Sequence, residues 1–162
     1  MRWPVALLFA YLALALELAI SPALSLGQTT VSPSIVIPFV AFVAMFAPAV
    51  AAMWTAVLLG LAIDLTTSRG TAGLVIPGPH ALGMLAGCYV VLQVRGLMMR
   101  RNPLTLVFLS VVAGAMCGLV VVTIFSIRGI YPDATGFRAW PELVHRTMSA
   151  LYTGVTALVL AF

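Results

Sequence analysis

Lysine is absent from this chain, and charge of either sign is scarce: 8 arginines and 4 acidic residues stand among 162. Charged residues make up 7% of the sequence, where a soluble domain carries about 25%. That scarcity excludes a charged, water-facing shell. The arginines stand singly apart from Arg95, Arg100 and Arg101, so no basic patch points to nucleic acid. Cysteine is limited to Cys88 and Cys117, both deep in apolar runs, with no metal-ligand spacing and no reason to expect a disulfide. No Gly-rich phosphate loop, HExxH, GxSxG or paired-carboxylate motif occurs. These absences argue against catalysis, a cofactor or a metal.

What is present is apolar sequence: 63% of residues are hydrophobic, in blocks long enough to cross a bilayer. The reading is an all-α integral membrane protein, one domain of six transmembrane helices over residues 1–162. The expected spans are Pro4 to Ser21, Ser34 to Phe46, Val50 to Leu65, Pro79 to Met98, Leu104 to Ile127, and Pro141 to Phe162. Loops between them are shorter than about 15 residues. The first block starts after Arg2 like a signal peptide, but its length and Glu17 favour a retained span. Ile35 to Leu65 is an almost unbroken apolar run, about 46 Å as one helix and too long for the ~30 Å core. Pro48 divides it, because proline disrupts a helix interior.

Six spans put Arg2 and the Arg95, Arg100, Arg101 cluster on one side. The cytoplasmic side of a membrane protein is the one rich in arginine, so both termini are expected there. Arg69, Arg128, Arg138 and Arg146 then lie outside. The outer loop from Arg128 to Trp140 carries Tyr131, Phe137 and Trp140. These aromatics suit a belt at the headgroup level or a docking surface for an extracytoplasmic partner.

Ionisable groups within spans are costly and each needs a role. Glu17 shares a helical stripe with Ala6, Ala10 and Ala13. It is either buried in the bundle and hydrogen-bonded, or reaches the outer interface, a partner or a ligand. Asp64 ends the third span on the outer side, and His80 begins the fourth at similar depth. With Arg69 from the intervening loop they form a candidate hydrogen-bonded set that pins the loop, or a site that recognises a partner. Small residues carry the packing signal. Gly83 and Gly87, Gly114 and Gly118, and Ala56 and Gly60 are each four apart, the spacing that lets helix backbones approach. The neighbour across each face is either this chain, a second copy in a homodimer, or another protein.

The ordered features resemble the rod shape-determining protein MreD family. The likeness runs from about residue 5 to 127. Its best part is Leu58-Leu59-Gly60-Leu61-Ala62-Ile63-Asp64-Leu65, followed by Gly78-Pro79-His80-Ala81-Leu82 and Gly87-Cys88-Tyr89. A positive stretch, Arg95 to Arg101, comes next, and Ser32-Pro33-Ser34 opens the second span. Ser34 stands where the family usually has an acid, and Glu17 where it tends to have glutamine. The resemblance implies a non-catalytic scaffold in the bacterial inner membrane, part of the cell-elongation machinery that directs peptidoglycan synthesis. Its implied partner is MreC, within a wider assembly of RodA, its transpeptidase and MreB. The implied fold is similar to the substrate-binding subunits of energy-coupling-factor transporters, which makes a small-solute-binding subunit the alternative. The implied mechanism is packing: small-residue faces accept a partner helix, and Asp64, His80 and Trp140 orient its outer part.

Overall fold

The computed structural model describes residues 3–20, 32–66, 77–97, 103–128 and 139–161. Among them the chain is all-helical, with six helices: α1 (Trp3–Ile20), α2 (Val36–Phe46), α3 (Ala49–Thr66), α4 (Pro79–Val94), α5 (Pro103–Arg128) and α6 (Ala139–Ala161). α3 and residues Leu104–Ile127 of α5 are long and apolar enough to cross a membrane.

The long apolar run breaks at Ala47-Pro48, and the reason is local. Proline pushes the residue before it out of helical backbone, and Ala47 is extended at φ −92°, ψ 161°. The Ala47 N–H closes α2 on the Val43 carbonyl at 2.8 Å, and Pro48 opens α3 by accepting the Ala52 N–H at 3.0 Å. α2 starts later than the sequence suggests, at Val36 instead of Ser34. Its 11 residues span about 16 Å, roughly half a bilayer core. Residues 32–34 before it are non-helical. Pro38 sits in the first turn of α2, where a missing N–H removes no helical bond.

α2 is the centre of the bundle. It packs against all five other helices, and its buried face joins Ala52, Ala56 and Leu59 of α3, Met84, Cys88 and Val91 of α4, and Leu109 and Ala113 of α5. The others follow one another around it in the order α1, α3, α4, α5, α6. The ring is open between α1 and α6, which make no contact among the described residues. Phe42 and Phe46, ring centroids 4.8 Å apart, are the exposed large side chains of α2, at 44% and 54%. Every helix also turns large apolar side chains outward, such as Phe9, Trp54, Leu82, Phe108 and Leu151. A water-soluble surface rarely carries so much apolar area.

The closest seams are made by glycine. A Cβ at Gly60 of α3 would lie 2.5 Å from Ala81 Cα of α4. On α4, a Cβ at Gly83 would lie 2.9 Å from the Cys117 carbonyl oxygen, and one at Gly87 2.7 Å from that of Ala113. On α5, Gly114 faces Ala150 and Gly118 faces Arg146, both on α6. Ala56 is fully buried in the core. All six small-residue positions therefore pack against the chain itself. This corrects the expectation that the Gly83 and Gly87 face receives a partner helix: α5 already occupies it.

Candidate functional site

The charged groups of the bundle converge on helix ends. An acid near the C-terminus of its own helix sits at the unfavourable pole of that helix. Asp64 and Glu17 are both placed so, and each serves the N-terminus of the next helix.

Asp64 is 5% exposed and lies two residues before the end of α3. Its carboxylate accepts the backbone N–H groups of Gly78 at 2.8 Å, His80 at 3.1 Å and Ala81 at 3.3 Å. Pro79 has no N–H to satisfy, and the Leu82 N–H already bonds the Gly78 carbonyl at 2.9 Å. One side chain thus completes the first turn of α4, whose donors have no partner within the helix. Nδ1 of His80 meets Oδ1 of Asp64 at 2.7 Å; with the carboxylate accepting, the ring proton sits on Nδ1. Gly60, one turn before Asp64, brings α4 close enough for these bonds. Gly78 has φ +129°, with open space around it. Gly78→Ala is expected to cost about 1–3 kcal/mol through backbone strain alone. Thermal unfolding of the purified variant in detergent measures it, and an unchanged Tm would show that the clasp does not need this backbone.

Glu17 repeats the device at α2. Its Oε2 accepts the N–H groups of Ile35 and Val36, the latter at 3.2 Å. The Ile37 N–H goes to the Ser34 hydroxyl at 3.3 Å, Pro38 has none, and the Phe39 N–H bonds the Ile35 carbonyl at 3.3 Å. Of the two sequence readings for Glu17, burial with hydrogen bonding matches this placement. At the other end of α2, Arg95 Nη1 donates to the Ala44 and Ala47 carbonyls, each at 2.9 Å. A carboxylate at the N-terminus and a guanidinium at the C-terminus complement the dipole of α2 at both poles. The sequence reading took Arg95 as a topology marker and missed this contact, because its partners lie 48 and 51 residues away.

A further polar feature was also missed. Ser149, Thr153 and Thr156 form one stripe of α6 and hold the non-helical residues before α2. Ser149 donates to the Ser32 carbonyl, the Thr153 hydroxyl accepts the Ser34 N–H at 2.9 Å, and Thr156 donates to the Ser34 carbonyl at 3.4 Å. Non-helical backbone in an apolar interior needs such partners. The spacing i, i+4, i+7 of three hydroxyl residues was the readable signal.

The remaining candidates stand apart. Trp140 begins α6 and is 75% exposed, away from the Asp64 clasp's hydrogen bonds. Arg69 lies outside the described residues. Arg146 pairs with Glu142 one turn earlier on α6 at 2.9 Å. Among the described residues no three His, Cys, Asp or Glu side chains gather as a metal site. Cys88 and Cys117 are free, buried thiols that line a cavity of about 10 Å³ between α2, α4 and α5. That space suits about one water and not a vitamin-sized solute.

No protein-family model, curated protein or solved structure matches the chain.

Proposed function

We propose that the chain is a multi-pass scaffold of the bacterial inner membrane, a six-helix bundle with both termini cytoplasmic. On this reading it is a non-catalytic subunit of the cell-elongation complex that binds MreC and helps position peptidoglycan synthesis. The observation that supports it most is the fate of the residues carrying the MreD resemblance. Gly60, Asp64, Gly78, Pro79 and His80 fold into one interhelical clasp, and Gly87 packs on α5. On this reading the shared pattern serves to maintain the shape of a bundle. The outward apolar side chains on every helix, and two helices of bilayer length, support lipid as the solvent.

With the glycine faces filled internally, the partner's span is assigned to the exposed face of α2, over Phe42 and Phe46. Aromatic side chains suit such a contact through their large area and few rotatable bonds. A photo-activated phenylalanine analogue at position 46 tests the assignment in living cells. The expected adduct is MreC. Adducts to lipid alone, with a correctly inserted protein, would contradict it.

A further inference from the structure

α2 is held almost entirely by other elements. α1 touches only α2 and α3 among the described residues, and α6 only α5 and α2. Three helices that do not touch one another are tied to α2 by polar groups: α1 through Glu17, α4 through Arg95, and α6 through Thr153 on Ser34. α2 has three turns, fewer than an isolated helix needs to hold its shape. Its end groups depend on side chains borrowed from α1 and α4.

We propose that α2 is a conformational coupler whose two end clasps form one cooperative unit. Release of the Glu17 end loosens the Arg95 end, about 16 Å away. The route is physical. Without Glu17, the N–H groups of Ile35 and Val36 are bare in an apolar interior, and the positive pole of α2 is uncompensated. Fraying of that turn withdraws Val36 and Val40 from the core they help fill. A rod this short then shifts whole, and the Ala44 and Ala47 carbonyls leave Arg95. Arg95 opens the basic stretch of the sequence, so movement of α1 at one end of the bundle reaches that stretch at the other. The coupling does not depend on which partner the protein binds.

Amide hydrogen exchange of the full chain in lipid nanodiscs tests it. In Glu17→Ala, which removes the acceptor of both N–H groups, exchange is expected to rise about tenfold at residues 35–37, the size of a lost helix cap, and also at Ala47 and Ala52. Arg95→Gln is expected to give the mirror result, speeding residues 35–37. The double variant is expected to exceed the stronger single variant only slightly. Faster exchange confined to the mutated end would overturn the proposal, and so would equal acceleration throughout α3 to α6. Should Glu17→Ala not fold, Thr153→Val removes the acceptor of the Ser34 N–H, along with a hydroxyl bond to Ser149 inside α6. Loosening at Ala47 in that variant would support coupling, and a purely local change would overturn it.

Discussion

Asp64→Ala is expected to destabilise the protein by about 3–5 kcal/mol, because several buried donors lose one shared acceptor. The loss is large because one carboxylate serves four donors at once. Without it, the N–H groups of Gly78, His80 and Ala81 and the His80 ring are left with no acceptor from α3. Each unsatisfied buried donor costs about 1–3 kcal/mol. α4 also loses the negative group at its positive pole. Asp64→Asn is expected to fall between, since its carbonyl still accepts while its amide group turns donors toward donors. His80→Ala removes one of the four donors and is expected to cost about 1 kcal/mol. Thermal unfolding of the purified variants in one detergent gives the ranking directly. An Asp64→Ala protein with the native Tm would show that the clasp holds nothing.

The second large effect is expected at the α4–α5 seam. Gly83→Leu is expected to cost about 3 kcal/mol, the upper end for overpacking or beyond it, and to leave little folded protein. Its Cβ alone would stand 2.8 Å from the Cys117 Sγ and 2.9 Å from the Cys117 carbonyl oxygen. The thiol can turn aside, but the carbonyl belongs to α5 and moves only with it. Gly87→Leu meets the same obstacle at the Ala113 carbonyl. Size-exclusion chromatography and Tm in detergent separate this from a partner-face role. A Gly83→Leu chain that folds with the native Tm and loses only a partner would show that the face is external. Phe42→Ala is the contrasting variant: its exposed ring fills no core, so the Tm is expected to stay near native.

Much of the helical layout is legible because its causes are local. Pro48 divides the long apolar run by a rule about the residue before proline, and Ala47 obeys it. α4 and α5 start at Pro79 and Pro103, while α6 starts at Ala139, two residues before Pro141. Asp64 and His80 meet because a hairpin places the end of α3 beside the start of α4. The partners across the small-residue faces are not legible, since Gly83 and Gly87 look alike whether α5 or another protein lies opposite. Arg95 shows the same limit from the charged side. An arginine after a span reads as a topology marker, and only the fold brings Ala44 and Ala47 to it. The start of α2 was placed two residues early, at Ser34, whereas Ile35 caps the helix and Val36 begins it. Ser149, Thr153 and Thr156 were legible by spacing and passed over, since hydroxyls in an apolar helix usually bond their own preceding turn. Thr153 does bond Ser149 in that way, and it also holds Ser34.

Purification of the tagged chain in mild detergent, with mass spectrometry of what accompanies it, tests the scaffold reading most directly. The account predicts MreC together with RodA and its transpeptidase, and their loss when Phe42 and Phe46 are both changed to alanine in a protein that still folds. Recovery of an ATP-binding cassette module or a bound small molecule in their place would contradict it.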